Sequence, residues 1–231
     1  MTRNPIIVAL DVDSAREARS LIAKLGQHVN FYKVGLELFA ATGAEFVQEL
    51  IRDGKDVFLD LKMYDIPETV KRAVAQVAPS GVKLLTVHAV GSVMRAAVQG
   101  RGDSNLKLLA VTVLTSFGPE DMADQGYTCS IADLVAVRAR RAMELGIDGV
   151  VASPLEAATV RGIVGAGKLL VTPGVRSAGA AKGDQRRTAT PLEAIRDGAD
   201  YLVIGRQITR AANPADEAAR ILDEISAAWV A

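Results

Sequence analysis

The sequence predicts an α/β fold of the (β/α)8 TIM-barrel type, and three observations predict it. Short apolar stretches alternate with longer amphipathic ones from end to end, the pattern of parallel strands joined by helical crossovers. Eight such apolar stretches fit in 231 residues, the size of one barrel. Three helix-to-strand turns share one design, Gly54-Lys55-Asp56, Gly146-Ile147-Asp148 and Gly198-Ala199-Asp200, with glycine where a helix ends in a left-handed cap. An open doubly wound sheet is the alternative. Its glycine fingerprint for a dinucleotide is missing after the first strand, where the chain reads Leu10-Asp11-Val12-Asp13-Ser14, so the barrel is preferred.

Taken in order, the expected strands run from Ile6 to Val12, Phe31 to Gly35, Val57 to Lys62, Leu84 to Ala89, Leu108 to Thr115, Gly149 to Ser153, Leu169 to Val175 and Tyr201 to Gly205. Helical spacing by threes and fours lies between them, as in Ala18, Leu21, Ile22 and Leu25, or Ile131, Leu134, Val135, Ala142 and Leu145. Ile221, Leu222, Ile225 and Trp229 are expected on a terminal helix packed against the barrel. Nothing resembles a linker, so residues 1–231 are expected to form a single catalytic domain.

Composition narrows the function classes. Lys plus Arg and Asp plus Glu both total 27, so no excess charge draws the chain to nucleic acid or to an anionic membrane surface. Any anion must be held locally. Cys129 is the single cysteine and cannot form an internal disulfide, and no basic-then-apolar leader opens the sequence; a reducing cytoplasm is the expected location. No apolar run approaches the roughly 20 residues that cross a bilayer. The two histidines, His28 and His88, are too few for a histidine-based metal site, and no metal is expected.

In a barrel the loops after the strands form the active face. The strand ends there are polar: Asp11, Lys33, Asp60 with Lys62, His88, Thr115, Ser153, Arg176 and Gly205-Arg206. Side chains two apart on a strand share a face, so Asp60 and Lys62 are expected to point together. Buried ion pairs often cost more in desolvation than they return, which makes a charged strand tip in an apolar protein read as chemistry. Charges crowd the first three strands. The loops after strands seven and eight, with Arg176 and Arg206, suit a phosphate.

These residues match a family. Asp60-Leu61-Lys62-Met63-Tyr64-Asp65-Ile66-Pro67-Glu68-Thr69 resembles the signature of the orotidine 5′-monophosphate decarboxylases of bacterial type. Ala9-Leu10-Asp11, Tyr32-Lys33-Val34-Gly35-Leu36-Glu37, Val113-Leu114-Thr115-Ser116, Thr172-Pro173-Gly174-Val175-Arg176, Asp184-Gln185-Arg186-Arg187 and Val203-Ile204-Gly205-Arg206 resemble further segments of that family, in order. Alone, the first motif would fit a structural ion-pair network at a barrel rim; the ordered set is specific and nearly full length. His88-Ala89-Val90-Gly91-Ser92 departs from the family, where a second glycine is usual at the last position.

The resemblance implies loss of carbon dioxide from C6 of orotidine 5′-monophosphate, without metal or organic cofactor. It implies Lys62 as the ammonium that stabilises and protonates C6, flanked by Asp60 and Asp65, with Lys33 completing the alternating set. Two opposite charges about 4 Å apart gain about 4 kcal/mol at an effective dielectric near 20, enough to bias lysine toward its charged form. By the same likeness Asp11 would accept from ribose hydroxyls, Thr115 would address the pyrimidine edge, and Gln185 would bridge base and phosphate. Arg176, Arg206 and the amide of Gly205 would hold the phosphate. Ile66 would join the binding set, and a homodimer is implied in which Asp65 and Thr69 serve the neighbouring site. Ser177 to Asp184, small and glycine-broken, is expected to be a lid.

Two rivals differ in class. A metal-dependent relative in the same suprafamily shares the Asp-x-Lys-x-x-Asp element, but by resemblance it needs an acidic ligand where Lys33 stands. A phosphate-ligand sensor retaining the barrel is the other, and the complete charged set argues against it.

Overall fold

The computed structural model describes residues 4–178 and 189–226. Eight parallel strands close into a barrel in sequence order, β1 pairing with both β2 and β8. They are β1 Ile6–Ala9, β2 Phe31–Gly35, β3 Asp56–Met63, β4 Leu84–His88, β5 Lys107–Val111, β6 Gly149–Val151, β7 Leu169–Pro173 and β8 Tyr201–Ile204. The helices are α1 Ala15–Leu25, α2 Leu36–Arg52, α3 Pro67–Val77, α4 Gly91–Arg101, α5 Pro119–Asp124, α6 Ile131–Glu144, α7 Ala157–Val164, α8 Pro191–Arg196, α9 Arg206–Thr209 and α10 Pro214–Ser226. All eight expected strands are found, several shorter at their C-terminal ends. β5 stops at Val111 rather than Thr115 because β6 offers ladder partners only from Gly149 to Val151. Beyond that the chain is free to turn into a loop. Among the described residues no helix is long and apolar enough to cross a membrane.

Side-chain alternation divides the core in two. Ile7, Ala9, Phe31, Phe58, Leu84, Leu109, Val171 and Val203 fill the barrel interior, and a larger cluster fills the space between sheet and helices. Low in the barrel, the rings of Phe31 and Tyr201 meet edge to face with centroids 5.3 Å apart. Helix starts follow local chemistry. Ser14 and Ser130 accept from the backbone N–H groups of Glu17 and Asp133, and Thr190 with Glu193 forms a reciprocal capping box ahead of Pro191.

The repeated Gly-x-Asp turns organise the opposite, N-terminal rim. Gly54, Gly146 and Gly198 adopt φ of 72°, 77° and 99°, as the left-handed cap requires. The aspartates that follow tie neighbouring strands together. Asp148 Oδ2 accepts from the Leu108 N–H at 3.0 Å and pairs with Arg101, while Asp200 Oδ2 accepts from the Leu170 N–H at 2.7 Å and from Arg161 at 2.6 Å. This rim carries stability, and the other is left for chemistry.

Candidate active site

Continuing the inward alternation by one step past the apolar layer reaches the polar strand ends. Ile7 and Ala9 lead to Asp11, Phe31 to Lys33, Phe58 to Asp60, Leu84 to Thr86, and Val203 to Gly205. All of these strand ends except Thr86 line a cavity of about 530 Å³ at the C-terminal end of the barrel. Lys62, Thr115, Arg176 and Arg206 line it as well. Three arginines, Arg176, Arg206 and Arg210, thus share one cavity with the lysines and carboxylates of the first three strands.

Asp11, Lys33, Asp60 and Lys62 form a row of alternating charge. Lys33 Nζ lies 2.7 Å from Asp11 Oδ1 and 3.8 Å from Asp60 Oδ2, and Lys62 Nζ lies 2.8 Å from the same Asp60 oxygen. Lys33 is therefore held more closely by Asp11 than by Asp60. Lys33 and Asp60 are buried, only 9% and 8% exposed. Burial alone would raise the pKa of Asp60. The charges of Lys62 and Lys33 and the hydrogen bonds from Lys62 and Thr86 outweigh it, holding this carboxyl below the usual range.

The geometry that brings Asp60 and Lys62 together is not a plain strand. Leu59 pairs with Leu85 and Met63 with Val87, so β3 spends four steps where β4 spends two, and the extra residues form a bulge. Within it Lys62 has φ of 47°, the one positive value outside glycine among the described residues. Thr86, fully buried on β4, stitches the bulge closed. Its hydroxyl donates to Asp60 Oδ1 at 2.9 Å and accepts from the Lys62 backbone N–H at 2.9 Å. Sequence reasoning passed over Thr86. The available signal was a polar residue on the inward face of an apolar strand, between Leu84 and His88.

Gly35 fits the lysine beside it. A Cβ there would stand 2.9 Å from Lys33 Nζ and 3.4 Å from Asp11 Oδ1, so the absent side chain leaves room for that ammonium. His88, whose ring lies 5.3 Å from that of Tyr64, has its pKa lowered by burial and by the charges of Arg138 and Lys62.

In the same cavity Arg176 is half-buried and donates to the Val175 carbonyl at 2.7 Å. Burial, and then the charge of Arg206, lowers its pKa. Two guanidiniums brought together against their repulsion make an electrostatic well for an anion. Gly205 precedes α9, which Arg206 opens. Thr115 lies in the loop after β5 and also lines the cavity.

Three expected residues stand apart from this cluster within the chain. The Asp65 carboxylate is exposed and accepts the Ile66 backbone N–H at 2.6 Å. Among the described residues Asp60 is the ion-pair partner of Lys62, and Asp65 is not. Ile66, 70% exposed, and Thr69 also face outward, beside Tyr64 at 67%. Gln185, most of the expected lid and Trp229 lie outside the described residues.

The model of the family described as "Orotidine 5′-phosphate decarboxylase / HUMPS family" matches residues 4–221. The chain belongs to that family. An orotidine 5′-phosphate decarboxylase of Nitrobacter winogradskyi is 54% identical over 226 residues, 98% of this chain and 94% of the relative. One from Rhodopseudomonas palustris strain BisA53 is 53% identical over 223 residues, 96% and 95% of the two chains. The crystal structure of orotidine 5′-phosphate decarboxylase from Lactobacillus acidophilus superposes with a TM-score of 0.85 at 36% identity, covering 96% of this chain and 99% of that one. An orotidine 5′-phosphate decarboxylase family member thus carries the charged row at the mouth of a barrel that its relatives share.

Proposed function

We propose that this chain decarboxylates orotidine 5′-monophosphate to uridine 5′-monophosphate in pyrimidine biosynthesis, as one catalytic domain working in the cytoplasm without metal or organic cofactor. The observation that carries the reading is the alternating row Asp11, Lys33, Asp60 and Lys62, sharing one cavity with Arg176 and Arg206. Family membership supplies the substrate. The geometry supplies a reason why such a substrate would react here.

Breaking the C6–carboxylate bond releases carbon dioxide and leaves the electron pair in an sp² orbital of C6, outside the ring π system. An electron sink conjugated with the ring does not reach that orbital. A fixed ammonium does, and Lys62 has the type, the charge partner and the position for it. Its Nζ–H then protonates C6, giving the uracil ring, and the neutral amine recovers its proton from solvent. Asp60, held ionised by its neighbours, pairs with the Lys62 ammonium and fixes it in place. Its proximity to the substrate carboxylate would also raise the ground state, a secondary contribution.

In this reading Asp11 and Lys33 bind the ribose, Thr115 the pyrimidine edge, and Arg176, Arg206 and the Gly205 amide the phosphate, with Gln185 bridging base and phosphate. Remote phosphate contacts contribute to rate when their binding energy is realised at the transition state. Asp65, Ile66 and Thr69, outward-facing beside an exposed tyrosine, would complete the site of a partner subunit in a homodimer. Nothing in the site calls for nucleic acid or membrane.

The test is ultraviolet monitoring of orotidylate turnover with and without chelator. Undiminished conversion to uridylate in chelator, abolished in Lys62→Ala, is the expected result. Turnover that requires a divalent cation would favour a metal-dependent chemistry at the same motif instead.

A further inference from the structure

Arg176 and Arg206 are each followed by a residue that points away from the cavity lining, Ser177 and Gln207, and these two successors are bonded to each other. Gln207 Oε1 accepts from the Ser177 backbone N–H at 3.1 Å, and Gln207 Nε2 donates to Ser177 Oγ at 2.9 Å. One side-chain amide thus grips both the backbone and the hydroxyl of Ser177. The second proton of Nε2 goes to Glu217 Oε1 at 2.8 Å. Ser177 is 5% exposed, and its hydroxyl is saturated. It donates to Glu224 Oε2 at 2.7 Å and accepts from Arg220 Nη2 at 3.0 Å besides Gln207, which uses its one donor and two lone pairs.

Glu217, Arg220 and Glu224 all belong to α10, so the pair is fastened to a full-length helix of the outer layer. Glu217 and Arg220 also fix each other, with Nη2 to Oε1 at 2.6 Å and Nε to Oε2 at 2.9 Å. A polar network with every member satisfied is stiff, whereas a half-satisfied one is costly.

Because each member of the bonded pair is next in sequence to an arginine, the bond fixes the spacing from which both guanidiniums enter the cavity. We propose that Gln207 and Ser177 form a clip that presets Arg176 and Arg206 as a single phosphate-holding unit, with Gln207 its positioning residue. The clip offsets the repulsion between two like charges in the empty site. A ligand bearing a phosphate dianion then meets both arginines already in place, and little of its binding energy is lost to ordering them. This inference rests on the phosphate reading above.

The experiment compares kcat/KM for orotidine 5′-monophosphate and for orotidine, the same nucleoside without its phosphate, in the full-length protein and its variants. Gln207→Met keeps the side-chain bulk and removes all three polar contacts. It is expected to lower the value for the nucleotide about tenfold while leaving that for the nucleoside within about twofold, as the loss of two or three hydrogen bonds felt only by a phosphate would do. The double variant Ser177→Ala/Gln207→Met is expected to be little worse than Gln207→Met, because the two residues share one connection. Arg206→Ala is the control and is expected to cut the nucleotide-to-nucleoside ratio further. If Arg206→Ala leaves that ratio unchanged, the phosphate reading itself fails. If Arg206→Ala collapses it while Gln207→Met does not, or lowers both substrates equally, the clip is overturned. Should Gln207→Met fail to fold, the same ratio is read in Ser177→Ala, with the same consequences.

Discussion

Thr86→Val isolates the stitch across the bulge, because valine keeps the shape of threonine and removes the hydroxyl alone. In the parent that hydroxyl gives one hydrogen bond to the ionised Asp60 and takes one from the Lys62 backbone, both at 2.9 Å and both out of water. A hydrogen bond to a charged group is worth about 1.5 to 3 kcal/mol, and a buried donor left alone costs a similar amount. The bulge can recover part of this by letting Lys62 relax from its φ of 47°, which carries its ammonium away from Asp60. A misplacement of about 1 Å at a reacting group lowers rate on the order of a hundredfold. The expected result is therefore a fall in kcat/KM for orotidylate of about thirtyfold to a few hundredfold, larger than any loss of melting temperature suggests. The pH profile separates this from general damage. Losing a hydrogen bond to its charged form raises the pKa of Asp60, so the acid limb of kcat/KM should move to higher pH. Thr86→Ser, which restores the hydroxyl, should restore both. A folded Thr86→Val protein with kcat/KM within threefold of the parent and an unmoved acid limb would refute the positioning role.

Three further outcomes are expected. In Gly35→Ala the new methyl meets the flexible end of Lys33, 2.9 Å away, rather than backbone, so the fold should survive while kcat/KM falls on the order of tenfold to a hundredfold; unchanged kinetics would mean that Lys33 has no fixed task. The depressed pKa of Asp60 gives stability that is full above its ordinary value of 3.8 and is lost as pH falls through the lower folded value. Chemical denaturation should accordingly show a difference between the parent and Asp60→Asn that is flat above about pH 4 and shrinks in more acidic buffer, and a flat difference throughout would contradict the shift. Mixing inactive Lys62→Ala with inactive Asp65→Ala should recover activity through hybrid dimers, and no recovery despite demonstrated subunit exchange would remove Asp65 from the neighbouring site.

The parts legible in the sequence were those set by local chemistry. The Gly-x-Asp turns ahead of β3, β6 and β8 announce helix ends from three consecutive residues, and a charged tip on an apolar strand announces Asp60 and Lys62. What stayed hidden depends on partners far away along the chain. The bulge is fastened by Thr86, between Leu85 and Val87 on β4 and some two dozen residues beyond Asp60. Asp11 lies closer to Lys33 than Asp60 does, which no spacing reveals. The early end of β5 is decided by the shortness of β6. Ser177 reads as the start of a lid and Gln207 draws no notice until β7 and β8 bring the segments that follow them side by side, where Ser177 is buried. Asp65, Ile66 and Thr69 face outward in one chain, so the roles proposed for them call on a second subunit.

The left-handed backbone at Lys62 has a consequence for anyone selecting hardier versions of this protein. Glycine at that position would relieve a torsion disfavoured by on the order of 1 kcal/mol but would leave the buried Asp60 carboxylate without its nearest cation. A screen for heat resistance would weigh those two effects alone and is blind to the turnover proposed for the Lys62 ammonium, so selection for endurance here must be run alongside selection for turnover.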